Sequence, residues 1–281
     1  MTKNTNYCYL DDAIKMPFIP ELYNAEDDKV GDGDYQDPDA VSERLYCDLE
    51  KAMNSSNHTD INLQYEFKNI NGRLNLVDQH GRHYSSDFIG PSRYWAKIAG
   101  ISDQKIGEYL KRARIITGHV AWPLNGTCQT INTQRGGEKG VYDRIDLTLA
   151  ELRNYFTGES CWFSSRLRAV FEKESDWLDI FRAENEDGLT AFKRLIDYMK
   201  LNDFVFGDDY QVISLVCSNL QNKEIVAVSK DEPAFPGNIE NLTFAKIKEL
   251  RVHNSLLAGN IEKEYNKFIA NSVYAIENRS M

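Results

Sequence analysis

The dipeptide Asn71-Gly72 is the feature that most constrains the fold of this chain. Apolar side chains occupy alternate positions before it, at Ile61, Leu63, Tyr65 and Phe67. Such alternation is typical of a half-buried β-strand. Asn-Gly is favoured at the centre of tight hairpin turns, because both central residues must adopt a positive φ. Since apolar residues resume at Leu74, the segment 61–90 is predicted to be an antiparallel β-meander.

Apolar residues spaced by three and four positions predict helices on both sides of this meander. The first begins after Pro38 with Asp39 or Ser42 as its N-cap, and four others cover 91–100, 103–112, 146–156 and 187–201. A longer amphipathic helix starts near Asn241 and continues over about eight turns. Strands are predicted at 114–122 and 127–132, and a hairpin joins 212–216 to 225–228.

Together these patterns predict an α+β fold, with antiparallel strands, packed helices, an acidic N-terminal arm and a long C-terminal helix. We expect three parts: residues 1–60 form the acidic arm with a short helix, 61–235 the α+β core, and 236–281 the C-terminal helix. That last helix either packs across the core or provides a surface for a homo-oligomer.

Charge is distributed very unevenly along the chain. The net charge is −10, and residues 1–60 contribute −9 of it, with 14 acidic and five basic residues. This balance argues against direct nucleic-acid binding, which requires a basic footprint. The sequence contains no apolar run of about 18 residues, so it predicts no transmembrane helix. The first residues do not resemble a signal peptide. We therefore expect no membrane contact and a cytoplasmic location, in a bacterium or in an infected host cell.

Residues 24–39 contain seven carboxylates and almost no apolar side chains, so they cannot form a hydrophobic core by themselves. Their carboxylates do not follow the order of an EF-hand calcium loop. A solvated charge run is one interpretation, and an arm that binds a basic surface on a partner protein is the other. For the second, the candidate partner-binding residues are Asp27, Asp28, Asp32, Asp34, Asp37 and Asp39.

The segment 130–144 is the candidate ligand-binding loop. Backbone N–H groups near glycines can form an anion-binding nest, and guanidinium groups bind phosphate or carboxylate in a bidentate manner. The candidate residues are Asn132, Arg135, Gly136, Gly137 and Arg144. The alternative is a structural loop in which Arg144 pairs with Asp143, Asp146 or the acidic arm. Neither of the standard nucleotide-binding glycine motifs is present.

The sequence provides no candidate catalytic residue, metal ligand or cofactor motif. The five cysteines are widely spaced without a CxxC pair, which is typical of free thiols. HExxH and GxSxG motifs are absent. His119 lies in an apolar segment, and we expect it to be a hydrogen-bonded core histidine.

Four segments resemble an uncharacterised bacterial family, described as a domain of unknown function. They are DGDYQDPDAVSERL, YSSDFIG (84–90), INTQRGG (131–137) and YDRIDLTLAELRNYF (142–156), in this order and at comparable spacing. The resemblance covers residues 30–200 and includes the acidic segment, and the last of the four is the most specific. It implies one domain with a fixed order of motifs, and no established activity.

Two functions from different classes follow. The first is a non-catalytic acidic protein-interaction module, such as a phage-type inhibitor of a host DNA-handling defence complex of the anti-Gabija kind. The second is an enzyme or sensor that binds a phosphorylated small molecule at Arg135, Gly136, Gly137 and Arg144. The first is favoured, because no base or nucleophile can be placed beside the arginines.

Overall fold

The computed structural model describes residues 42–55, 61–91, 93–125, 128–129, 131, 144–232 and 255–280. These ranges contain eight α-helices: α1 (Glu43–Asn54), α2 (Arg93–Ala99), α3 (Asp103–Ala113), α4 (Ile145–Thr157), α5 (Ser165–Lys173), α6 (Ser175–Leu178), α7 (Gly188–Tyr198) and α8 (Ser255–Asn278). The strands are β1 (Tyr65–Ile70), β2 (Arg73–Asp78), β3 (His83–Phe88), β4 (His119–Asn125), β5 (Cys128–Gln129), β6 (Val205–Phe206) and β7 (Gln211–Val212). The predicted α+β class is confirmed.

The main sheet has five antiparallel strands in the order β1-β2-β3-β4-β5. The β1–β2 turn lies at Asn71 (φ 53°) and Gly72 (φ 82°), as the dipeptide predicts. The Asn69 side chain accepts a hydrogen bond from the Gly72 N–H (3.0 Å) and stabilises the turn. The expected meander therefore forms, with Ile70 opposite Arg73.

Helix α1 covers the outer edge of β1. Ser42 caps it by accepting a hydrogen bond from the Leu45 N–H (3.2 Å). Asn54 donates to the Tyr65 carbonyl (2.9 Å) and accepts from the Tyr65 N–H (2.8 Å), so its side chain pairs with the strand as a neighbouring backbone would. This side-chain pairing satisfies the outward-facing backbone groups of Tyr65 at the start of the edge strand.

Helix α4 lies at the centre of the molecule. Its residues from Ile145 to Leu152 are all buried, so it lacks the polar face of a surface helix. It ends at Gly158, whose φ of 76° gives the left-handed conformation of a helix C-cap. It packs against α5 and α7, and one hydrophobic cluster extends from Leu45 in α1 to Ile276 in α8. The predicted division into three parts stays a prediction, although this cluster includes side chains from each part.

Three regions differ from their prediction. The segment predicted as a strand over 114–122 contains a 3₁₀ turn, Ile116–Gly118, before β4 begins. The predicted hairpin of 212–216 with 225–228 is reduced to an isolated bridge between Ile213 and Ala227, and the regular hairpin there is β6–β7. Helices α5 and α6 were not predicted, because their apolar residues are few and the segments are short. The expected start of the last helix near Asn241 lies outside the described residues.

Candidate functional site

Arg144, at the start of α4, is the candidate ligand-binding residue that the structure describes. Its Nε donates to Oδ1 of Asp146 (2.8 Å) and its Nη2 to Oδ2 (2.9 Å), which makes a bidentate pair. Asp146 lies in the first helical turn, where the helix dipole favours a negative charge. Its Oδ2 also accepts from the Leu215 N–H (2.8 Å), so the pair joins α4 to a distant loop.

A second carboxylate completes this cluster. Nη2 of Arg144 also donates to Oε1 of Glu232 (2.5 Å), which lies 88 residues further along the chain. The Ser214 hydroxyl donates to the same oxygen (2.7 Å) and accepts from the Cys217 N–H (2.9 Å). We refer to Arg144, Asp146 and Glu232 as the Arg144 cluster. With both carboxylates ionised it carries one more negative than positive charge.

The Arg144 cluster is closed to solvent. The three charged side chains are 0%, 0% and 1% exposed, and the Phe268 ring of α8 lies 5.6 Å from the guanidinium carbon. Burial lowers the pKa of Arg144, but Asp146 and Glu232 outweigh it, so the pKa lies above its ordinary value. Burial raises the pKa of Glu232, and Asp146 adds to that effect against the opposing influence of Arg144.

This arrangement joins chain segments that are distant in sequence. Asn271 of α8 donates to the carbonyls of Leu215 (2.8 Å) and Ser218 (2.7 Å) and accepts from the Leu220 N–H (3.0 Å). The loop that contacts Asp146 is therefore also fixed to α8. Since all these partners are internal, the arrangement supports a structural role. A guanidinium matched by two buried carboxylates is poorly suited to attract a phosphate.

The remaining polar side chains of α4 have a similar role. Glu151 is fully buried, and its Oε1 accepts from the N–H groups of Trp162 (2.6 Å) and Phe163 (2.5 Å) just before α5. Burial, together with the nearby Glu151, raises the pKa of the Cys161 thiol, which makes this thiol a weak nucleophile. The polar residues in the most specific sequence segment thus hold the core together.

Ser86 and His119 form a second buried polar pair, with Oγ and Nδ1 3.1 Å apart. Both side chains are buried, and the imidazole packs against the Phe88 ring at 5.5 Å between centroids. The adjacent cleft between α1, β4 and Arg279 has room for about one water molecule. His119 is therefore the hydrogen-bonded core histidine that the sequence predicts.

The other predicted site residues are not among those that the structure describes. Asn132, Arg135, Gly136 and Gly137 lie outside the described residues. So do the candidate partner-binding residues Asp27, Asp28, Asp32, Asp34, Asp37 and Asp39. For Arg144, the structure shows the ion pair with Asp146 that was one of the alternatives. Sequence reasoning missed Glu232 and Ser214, and no local pattern marks either residue.

Within the described ranges, no group of three or more His, Cys, Asp or Glu side chains could hold a metal ion. In the same ranges, no helix is long and apolar enough to span a bilayer.

The comparisons with known proteins give one match. The model of a family of unknown function, DUF6994, matches residues 20–281. No curated protein and no solved structure matches the chain.

Proposed function

The chain belongs to DUF6994, a family of unknown function, and from this premise we propose that it is a non-catalytic protein-interaction module. Its acidic N-terminal part, residues 1–60, binds a basic surface on a partner protein. The observation that carries this proposal is the charge distribution: −9 of the net −10 lies in this fifth of the chain. A charge concentrated in one segment increases the rate of association with an oppositely charged surface.

The anchoring of α1 supports the same function. Ser42, three residues after the acidic segment 24–39, is the N-cap of this helix, and Leu45, Tyr46 and Leu49 are buried in the core. The carboxylates are therefore attached to a rigid support at one end. A fixed attachment limits the conformational entropy that the segment loses when it binds.

The partner surface is one that otherwise binds DNA. Seven carboxylates within residues 24–39 present closely spaced negative charges, as a phosphate backbone does. An inhibitor of a host DNA-handling defence complex would use such a segment to compete with DNA. The alternative, a phosphorylated ligand bound at Arg135 and Arg144, is weakened because Arg144 is already paired with Asp146 and Glu232.

The test neutralises the acidic segment in the full chain. Tagged protein is used to capture its partner from DNase-treated host lysate, and the complex is measured by native mass spectrometry. We expect a stoichiometric partner that salt or duplex DNA displaces. The substitutions Asp32→Asn, Asp34→Asn, Asp37→Asn and Asp39→Asn together should weaken binding by at least about tenfold and reduce its salt dependence.

A matched control removes four charges from exposed positions of the folded core: Glu108→Gln, Glu172→Gln, Glu184→Gln and Asp208→Asn. This variant should bind like the wild type. Equal affinity of the acidic-segment variant and the wild type would contradict the proposal, as would capture of no partner. A retained mass of a few hundred daltons that is lost on Arg135→Ala would favour the small-molecule alternative.

A further inference from the structure

Arg279, one residue after α8, lies in a pocket of backbone oxygens. Its N–H donates to the Ala275 carbonyl (3.0 Å), so the helical path continues to it. The residue is only 5% exposed. Four backbone carbonyls from two segments, distant in sequence, accept hydrogen bonds from its guanidinium at 2.6–2.7 Å. We refer to the carbonyls of Thr117, His119, Met199 and Lys200 as the carbonyl pocket.

The end of α7 supplies half of the carbonyl pocket. The Leu201 N–H donates to the Ile196 carbonyl (2.9 Å). The Lys200 N–H donates to the Asp197 carbonyl (3.2 Å), and Lys200 has a φ of 55°. These two bonds and the left-handed residue define a Schellman motif. The carbonyls of Met199 and Lys200 lie beyond the bonds of this motif, where a helix leaves its final carbonyls for outside donors and its dipole favours a cation.

The turn before β4 supplies the other half. The Gly118 N–H donates to the Ile115 carbonyl (2.8 Å), and the Gly118 carbonyl accepts from the Ile89 N–H (2.9 Å). A Cβ atom on Gly118 would lie 1.9 Å from the Ala113 carbonyl oxygen, so the turn is packed closely enough to require glycine. Both halves of the carbonyl pocket are therefore held by bonds that do not involve Arg279.

The arrangement of the donors matches a guanidinium. Nη1 of Arg279 donates to two carbonyls, and Nε and Nη2 donate to one each, so the four bonds leave from three nitrogens. A lysine ammonium has three N–H groups on a single nitrogen and cannot reach the same four oxygens. We propose that the carbonyl pocket is a binding site for an alkylguanidinium, which Arg279 fills from within the chain, and that this contact holds the end of α8 on the core.

The surroundings of the carbonyl pocket suit the alkyl part of such a ligand. Arg279 lines the cleft between α1 and β4, and most of the other side chains there are apolar: Leu49, Ala52, Met53, Val120, Ala121 and Met199. Arg279→Ala removes Cγ, Cδ and the guanidinium, and N-ethylguanidinium contains the same groups. The small molecule should therefore replace what the substitution deletes.

The first test is rescue of Arg279→Ala in the full chain, measured by urea unfolding at constant ionic strength. N-ethylguanidinium should stabilise this variant in a saturable way. At ten times its dissociation constant, the ratio of folded to unfolded protein should rise by about elevenfold. The wild type should not be stabilised, because its site is filled. Ethylammonium, which has the same charge on a single nitrogen, should not stabilise the variant.

Arg112→Ala is the matched control, because it removes an arginine that contacts α8 at the surface. Arg112 donates to both carboxylate oxygens of Glu277 (2.7 and 2.6 Å), and its side chain is 56% exposed. N-ethylguanidinium should not stabilise this variant. Equal stabilisation of the two variants, or no stabilisation of Arg279→Ala, would overturn the proposal.

The second test is Arg279→Lys, which keeps the charge and most of the length of the side chain. The folding equilibrium constant should fall by at least about tenfold, because the ammonium leaves buried carbonyls without a donor. A variant as stable as the wild type would show that any cation suffices, and would overturn the proposal.

Hydrogen exchange tests the effect on α8. The amides of its last turn should exchange faster in Arg279→Ala than in the wild type, and should slow again when N-ethylguanidinium is added. Exchange that the substitution leaves unchanged would contradict the claim that this contact holds the end of α8.

Discussion

Arg144 and Arg279 are both buried arginines, and the protein stabilises their charges in opposite ways. Arg144 contacts two carboxylates, Asp146 and Glu232. Arg279, just after α8, contacts carbonyl oxygens instead. Its guanidinium donates to the backbone of Thr117 (2.7 Å), His119 (2.6 Å), Met199 (2.7 Å) and Lys200 (2.7 Å).

The two environments shift the pKa values in opposite directions. Burial lowers the pKa of Arg279 to about 9, since Asp203 compensates only in part. For Arg144, the two carboxylates more than reverse the effect of burial. Arg279 relies on dipoles at the C-terminal end of α7, which favour a cation. The comparison teaches that an arginine can be buried either as one member of a charge cluster or as a donor to backbone carbonyls. The two cases differ in how their contribution to stability depends on pH.

Removal of Arg144 should produce the largest loss of folding stability. Arg144→Met leaves two carboxylates buried without a counter-charge, so we expect the free energy of unfolding to fall by about 3–5 kcal/mol at pH 7.5. The loss should shrink at pH 4.5, because Glu232, whose pKa burial already raises, takes up a proton more readily once its counter-charge is removed. Urea denaturation at both pH values measures this.

A triple variant provides the control for this effect. Arg144→Met combined with Asp146→Asn and Glu232→Gln removes all three charges and should recover part of the lost stability at pH 7.5. If the loss from Arg144→Met were equal at the two pH values, the charge explanation would be wrong.

Removal of Arg279 should produce a smaller loss of stability, which depends on pH less than the loss from Arg144→Met does. Arg279→Met removes a charged hydrogen-bond donor from backbone carbonyls in two segments, so the free energy of unfolding should fall by about 2 kcal/mol. Arg279 contacts no carboxylate directly, and only Asp203 acts on it electrostatically. The loss should therefore change less between pH 4.5 and 7.5 than the loss from Arg144→Met does. Urea denaturation of both variants makes the comparison direct, and an equal change with pH in the two variants would remove the distinction.

Glu232→Gln should produce the smallest change, and its sign depends on pH. The folded-state pKa of Glu232 is raised above its ordinary 4.5, so the folded protein retains a proton that the unfolded chain has released. Wild-type stability should therefore decrease as pH rises from about 4.5 through the folded-state pKa. The variant lacks this decrease and should gain stability relative to the wild type as pH rises. Unfolding midpoints at several pH values test this, and parallel curves would contradict it.

Local sequence signals predicted much of the secondary structure. Asn71-Gly72 predicted its turn because the positive φ values it needs are a property of those two residues. Ser42 lies at the N-cap of α1 and Gly158 at the C-cap of α4, where short-range hydrogen bonds and backbone freedom decide the helix ends. Each signal acts within a few residues, so a single sequence reveals it.

The candidate site depended on contacts that the sequence does not display. Arg144 was singled out as a ligand-binding residue, with an ion pair to Asp146 as the alternative. Glu232 is 88 residues away and Ser214 lies in an irregular loop, so neither could be linked to Arg144 by spacing. The burial of the polar residues of α4 could not be predicted from the sequence either. A helix that contains Asp146 and Glu151 is expected to expose a polar face, but the structure buries both residues.

The sequence by itself determined the α+β class, the hairpin, most of the helix positions and the concentration of negative charge in the first 60 residues. Tertiary structure alone decided that the charge of Arg144 is matched by carboxylates inside the core, and that Arg279 donates to backbone carbonyls of two segments. The physical reason is the sequence distance over which each feature is set. Turns, helix caps and periodicity depend on neighbouring residues. The stability of a buried charge depends on which groups, distant in sequence, take the place of the water molecules that would solvate it.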